Sequence, residues 1–190
     1  TTGYMQNKLI NLVEKHFGNK YKFEFVFNQK YQTTNYIYSI FLAIDKIKWD
    51  LFLLHGDLFF TKEILEGLLN REQSAVVVDN LLLGSKKDFK AIVYEERVMK
   101  IATNICNPAS VSCQPLYKLK KVDWSIWAEA IQNFCYKGKT NVYAEEALNV
   151  VLDDFMLWSF DVQGELCMEV DTLEDLVILK SNIEEKGYIV

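Results

Sequence analysis

Apolar residues in this chain follow two periods that alternate along its length. Between Tyr4 and Phe17 they recur at Met5, Leu9, Leu12, Val13 and Phe17, the single stripe of an amphipathic helix, and Gly18 ends the pattern. Lys22–Phe27 (KFEFVF) alternates with the period of a strand. Thr33 and Thr34 can cap a following helix that carries Ile37, Ile40, Phe41, Ile44 and Ile47 on one face. Asp50–His55 (DLFLLH) is a continuous apolar run, which predicts a strand buried on both faces. A short helix over Thr61–Leu69 and another buried strand over Ser74–Asn80 follow. Strand–helix–strand alternation of this kind predicts an α/β protein with a largely parallel sheet and helices on both sides.

The second half is more mixed. Lys90–Glu95 and Arg97–Ala102 form the two arms of a predicted hairpin, and Val111–Leu119 a further strand. Trp124, Trp127, Ala128, Ile131 and Phe134 mark a helical stripe, and another helix is expected around Tyr143–Leu152. Strands are expected at Met156–Val162 and Leu166–Val170. A last helix starts at Thr172, where Asp175 completes a Thr-x-x-Asp cap.

Composition narrows the class. A length of 190 residues, half of them hydrophobic, fits one domain spanning 1–190, and with 2 Pro and 8 Gly there is no visible linker. The apolar runs at Leu51–Leu54 and Ala75–Val78 are too short to span a bilayer, and nothing at the beginning reads as a secretory signal. Cys106, Cys113, Cys135 and Cys167 form no Cys-x-x-Cys, and neither histidine adjoins them. That argues against a structural zinc site and for core cysteines in a reduced, cytoplasmic setting. A formal charge of −5 argues against a nucleic-acid partner. It leaves a nucleotide substrate open, because a cation held by carboxylates can supply local positive charge.

Four segments carry candidate chemistry. His55-Gly56-Asp57 follows the apolar strand, and ligands of open α/β sheets bind beyond the carboxyl ends of strands. Asp57 could hold a metal there, with Gly56 opening the backbone to a ligand; the segment equally fits an ordinary turn. In Glu169-Val170-Asp171-Thr172, period-two alternation puts Glu169 and Asp171 on one side, next to a helix start. The alternative is a helix-start aspartate beside a solvated glutamate. The Asn28–Ser39 segment, with Thr34 and Asn35 at its centre, is rich in amides, hydroxyls and aromatics that could read a base edge, or simply cap a helix. Tyr143, Glu145 and Glu146, with Tyr117 and Trp158 elsewhere, could surround a cationic ligand, although a core role suits such aromatics as well. Glu145 and Glu146 are helix neighbours, so one of them should face solvent.

In order and type, these segments resemble a known family. NQKYQTTNYIYSIFLA, LLHGDLFF, CQPLYKL, KTNVYAEEAL and CMEVDTLEDL are similar to successive blocks of the LicC-like phosphocholine cytidylyltransferases and their sugar-nucleotidyltransferase relatives, from Thr1 to about Leu179. The resemblance implies a Rossmann-like nucleotidyltransferase fold with a mainly parallel mixed sheet flanked by helices. It implies Mg²⁺ on Asp57 and Asp171; a nucleotide site at Gly3, Asn28, Thr34, Asn35, Ser39 and Gly56; and an acceptor site at Gln114, Tyr117, Tyr143, Glu145, Glu146, Trp158 and Glu169. CTP and a small phosphorylated acceptor such as phosphocholine would be the substrates. A sugar phosphate, aminoethylphosphonate or a non-catalytic nucleotide-binding role are the alternatives. His55 stands where such proteins often have Asn, Tyr36 replaces a second Asn, and Leu173 a frequent Pro. The TTGY opening is similar to the end of an early strand. The family's first strand, Gly-rich loop and downstream Lys have no counterpart here, so a homodimer partner, a second polypeptide or an omitted piece is expected to supply them. Thr1–Val190 alone is accordingly expected to bind nucleotide triphosphates poorly.

Overall fold

The computed structural model describes residues 1–81 and 88–188. In chain order the elements are α1 (Gln6–Phe17), α2 (Tyr36–Ala43), β1 (Leu51–Leu54), β2 (Leu58–Phe60), α3 (Lys62–Asn70), β3 (Ala75–Asp79), β4 (Lys90–Tyr94), β5 (Arg97–Ala102), β6 (Val111–Leu119), α4 (Lys121–Tyr136), α5 (Ala144–Val151), β7 (Trp158–Asp161), β8 (Cys167–Glu169) and α6 (Leu173–Lys186). They divide between two compact units, Thr1–Trp49 with Ser125–Val151 and Asp50–Trp124 with Leu152–Val190. Among the described residues, no helix is long and apolar enough to cross a membrane.

The unit beginning at Thr1 is helical. The apolar stripe of α1 forms as expected, but Met5, Leu9, Leu12 and Phe17 are all exposed. The strand expected at Lys22–Phe27 does not form. The segment is extended, yet among the described residues it has a single isolated parallel bridge, Thr2 to Phe27. Alternation gives a strand its two faces, but only a neighbouring ladder makes it a strand. Helix α2 is capped by Asn35, whose side chain accepts from the Tyr36 N–H, rather than by Thr33 or Thr34. Ile37, Ile40, Trp127, Ile131, Ala144, Ala147 and Leu148 are buried.

All eight strands belong to the other unit. Six form a sheet in the order β1-β6-β3-β7-β5-β4, and β2 and β8 form a separate antiparallel pair. The α/β class and the Rossmann-like character hold, but the expectation of a mainly parallel sheet is corrected. Among the named strands only β3 and β7 run parallel; β1–β6, β3–β6, β4–β5, β4–β6 and β5–β7 are antiparallel. The long strand β6 enters between β1 and β3 against the direction of both, which local periodicity cannot foretell. Strand β3 is fully buried, as its Ala-Val-Val-Val run requires, whereas β1 lies at the sheet edge and is only half-buried. Ile64 and Leu68 of α3 pack with Ala75, Val77, Leu116, Val162 and Cys167 in the core. Pro115 lacks an N–H, and β6 accommodates it at a register shift opposite Val76–Val78. Cys113, Cys135 and Cys167 are buried and Cys106 is exposed. Burial, then nearby acidic groups, push the Cys167 thiol up to about 12, so it stays protonated.

The β4–β5 hairpin forms where expected, and its turn places two ordinary residues in the left-handed region, Glu95 at φ 48° and Glu96 at φ 62°. Both positive φ values suit a two-residue turn for which Asn-Gly is the favoured pair. Glu95→Asn is therefore expected to stabilise the protein by about 0.5–1 kcal/mol, since Asn tolerates this conformation better. Denaturant unfolding checks it; an unchanged or lower midpoint would rule out a strained turn.

Candidate functional site

Strand pairing brings the two acidic motifs together. After Leu54, the backbone N–H of His55 donates to the Pro115 carbonyl at 3.2 Å, carrying the β1–β6 ladder one step further. The chain turns through Gly56 and Asp57 into β2, and β2 pairs with β8 so that Leu58 faces Glu169. The Val170 N–H then donates to the Asp57 carbonyl at 2.9 Å. These backbone bonds fix the side chains in turn. His55 Nδ1 lies 3.0 Å from Glu169 Oε1, both side chains are mostly covered, and the His55 ring meets Phe89 edge-on. Asp57 is exposed, and one ligand atom from each of His55, Asp57 and Glu169 falls within 4.8 Å of the other two. An imidazole and two carboxylates at this spacing suit a divalent cation. A Cβ on Gly56 would meet nothing within 4 Å, so the flank of the group is open to a ligand.

Asp171 is absent from this group. The alternation that would carry it to the side of Glu169 stops where β8 ends, at Glu169 itself. Beyond that point the Asp175 carboxylate accepts from the N–H groups of both Asp171 and Thr172, at 3.1 and 2.9 Å, and the expected capping box at Thr172 forms. Asp171 is thus an exposed residue at the start of α6. Gln114, Tyr117 and Trp158 take structural positions. Gln114 and Tyr117 are buried in β6, and burial pushes the Tyr117 hydroxyl well above its usual range. Trp158, at the start of β7, packs against the core around Ile64 and Leu116.

The helical unit holds a second group of candidate residues. The Asn35 N–H donates to the Thr140 carbonyl at 2.9 Å, tying the start of α2 to the segment before α5. Tyr36 and Tyr143 consequently approach, with ring centroids 6.1 Å apart and planes 44° from parallel. The Tyr36 hydroxyl donates to the Glu145 carboxylate. Glu145 is 1% exposed while its neighbour Glu146 is exposed, the division expected for adjacent helix positions. Trp127 Nε1 donates to the Ala144 carbonyl at 3.1 Å and holds the first turn of α5 in place. Two aromatic rings and a buried carboxylate make a suitable receptor for an organic cation.

The polar segment expected to read a base is largely occupied with itself. Asn28 donates to Thr34 and Ser39 at 3.0 Å each and accepts from the Lys30 N–H at 2.8 Å, and Thr34 donates to the Lys30 carbonyl. Asn35 caps α2. A Cβ on Gly3 would lie 2.8 Å from Tyr31 Cβ, so close packing already accounts for that glycine. Two residues outside the expected set emerge, His55 and Tyr36. Their signals in the sequence were the spacing of His55 across Gly56 from Asp57, and the place of Tyr36 just after the cap.

No protein-family model matches the sequence, and no curated protein sequence matches it. Solved structures do match. LicC, the CTP:phosphocholine cytidylyltransferase of Streptococcus pneumoniae, superposes with a TM-score of 0.74 at 14% identity, over 94% of this chain and 75% of LicC. The chain has the nucleotidyltransferase fold. The inositol-1-phosphate CTP transferase of T. maritima is similar with a TM-score of 0.74 at 22% identity, over 96% of this chain and 75% of the other. A UDP-glucose pyrophosphorylase solved with UDP-glucose gives 0.70 at 12% identity, over 98% and 80%. In this chain's version of the nucleotidyltransferase fold, the His55–Asp57–Glu169 group sits just beyond the carboxyl end of β1, where α/β sheets commonly bind ligands.

Proposed function

We propose that this protein is a divalent-metal-dependent nucleotidyltransferase that joins CMP from CTP to a small phosphorylated amine such as phosphocholine, with pyrophosphate leaving. The observation that carries this is the convergence of His55, Asp57 and Glu169 at the end of β1 in a nucleotidyltransferase fold. Asp57, Glu169 and His55 would hold the ion, with Asp171 as a further carboxylate from the start of α6; Mg²⁺ is the ion implied by the sequence resemblance. When bound, a divalent ion neutralises charge on the transferring phosphate and aligns an in-line displacement. An acceptor phosphate oxygen forms the new bond to the α-phosphorus of CTP as the bond to pyrophosphate breaks. The acceptor phosphate is already ionised at neutral pH, so no side chain need remove a proton. Tyr36 and Tyr143 would offer faces to the acceptor's amine and Glu145 a compensating charge. Gln114, Tyr117 and Trp158 would serve the packing of the sheet, and Glu146 faces solvent. Asn28, Thr34, Asn35 and Ser39 would shape the nucleotide site as a rigid, internally bonded loop.

CTP as the nucleotide draws support from two similar structures whose proteins are named for its use. The full-length protein is expected to use CTP at least ~10-fold better than UTP or GTP, because a site built around one base edge leaves polar groups unpaired with another. Equal use of the three would discard CTP while sparing the reaction class. A second acceptor class, an uncharged polyol or sugar phosphate, is favoured by the likeness to the inositol-1-phosphate transferase. A panel of phosphocholine, aminoethylphosphonate, inositol 1-phosphate and glucose 1-phosphate separates the two. The amine-bearing acceptors are expected to lead in kcat/KM; a lead for the uncharged ones would overturn the amine assignment.

A further inference from the structure

Carboxylates around a hard ion would suffice for the nucleotidyl transfer proposed above, yet this chain places an imidazole among them. His55 Nδ1 and Glu169 Oε1 are 3.0 Å apart. Ligand atoms that occupy adjacent positions around a six-coordinate ion, each about 2.1 Å from it, lie about 3.0 Å from one another. Asp57 offers a carboxylate oxygen within 4.8 Å of both. The backbone is anchored at all three positions, at His55 by its bond to Pro115, at Glu169 by the β2–β8 pairing, and at Asp57 by the bond from Val170. The His55 ring is further oriented by its edge contact with Phe89, at 6.4 Å between centroids.

We propose that His55 is a metal ligand, and that it makes this centre a mixed nitrogen–oxygen site that binds transition-metal divalent ions in preference to Mg²⁺. Mg²⁺ takes oxygen ligands and keeps much of its water, whereas imidazole suits Co²⁺, Ni²⁺ and Zn²⁺. Two carboxylates alone would favour such ions over Mg²⁺ only modestly. The nitrogen widens the preference, and the carboxylates of Asp57 and Glu169 supply the charge that lets either kind of ion enter.

This inference rests on the metal centre of the proposed function but is tested without turnover. The probe is Co²⁺, added to the full-length protein without nucleotide, followed by visible absorption and by proton NMR of the imidazole resonances, with Mg²⁺ as competitor. His55 resonances, assigned by their absence in His55→Asn, are expected to shift or broaden with the first equivalent of Co²⁺. A roughly 100-fold excess of Mg²⁺ is expected to leave most Co²⁺ bound. In His55→Asn, Co²⁺ affinity should fall ~10- to 100-fold, the loss typical of a disturbed metal ligand set, while Mg²⁺ affinity changes less than ~3-fold. Imidazole resonances that are all unaffected by Co²⁺ in the unmutated protein would overturn the proposal even if the variant failed to fold. So would displacement of Co²⁺ by equimolar Mg²⁺. His55-dependent Co²⁺ binding without nucleotidyl transfer would sustain the metal site and reject the enzyme activity. Normal transfer with an unchanged Co²⁺:Mg²⁺ ratio in His55→Asn would do the reverse.

Discussion

Asp57→Asn is expected to lower nucleotidyl transfer by the full-length protein ~100-fold or more at saturating divalent metal. That is the scale of removing one electrostatic contact to a charged transition state. Asp57 is exposed, at a turn whose backbone carbonyl, not its side chain, makes the bond to Val170. The substitution keeps the shape and removes the charge, so the unfolding midpoint should stay within about 0.5 kcal/mol of the original, as for an ordinary surface change. Steady-state rates over a metal titration, with a denaturant melt beside them, separate the two effects. A near-normal rate at high metal would remove Asp57 from the centre. An equal loss of rate and stability would make it a structural turn residue.

Glu145→Gln should have the second large effect, and on a different parameter. The carboxylate is buried and accepts a hydrogen bond from the Tyr36 hydroxyl, and an amide oxygen can replace it as acceptor with little change in volume. What is lost is the charge facing a cation. Truncating one partner of a buried charge pair commonly costs 2 kcal/mol or more, so the KM for phosphocholine should rise at least ~30-fold. Tyr143→Ala removes one aromatic face and should raise it about 3- to 30-fold. The KM for CTP should move less than ~3-fold in either variant. A matched rise in the KM of an uncharged sugar phosphate would show that Glu145 supports the fold rather than the amine.

What the sequence made legible was local. The stripe of α4, the Val-rich β3, the hairpin of β4 and β5 and the Thr172–Asp175 capping box each depend on residues a few positions apart, and each formed. Strand direction was not legible, because it depends on which segments become neighbours. The run at Leu51–Leu54 gave no sign that it would be an edge, and nothing within Lys22–Phe27 reveals whether a ladder will meet it. The site divides in the same way. Asp57 and Glu169 stood out as carboxylates near strand ends, but the register that sets Leu58 against Glu169 is what brings His55 to them. Tyr36 and Glu145 are separated by 109 positions, and their hydrogen bond had no local signal. Asp171 looked equivalent to Glu169 only while the strand was assumed to run on through it.

The most direct test is pyrophosphate release by the full-length protein with CTP, phosphocholine and a divalent ion, each omitted in turn. Stoichiometric pyrophosphate and a CDP-linked amine that require all three are the predicted result. Pyrophosphate that forms without acceptor, or no pyrophosphate at all from a folded protein that binds the metal through His55, Asp57 and Glu169, would contradict nucleotidyl transfer to a phosphorylated amine.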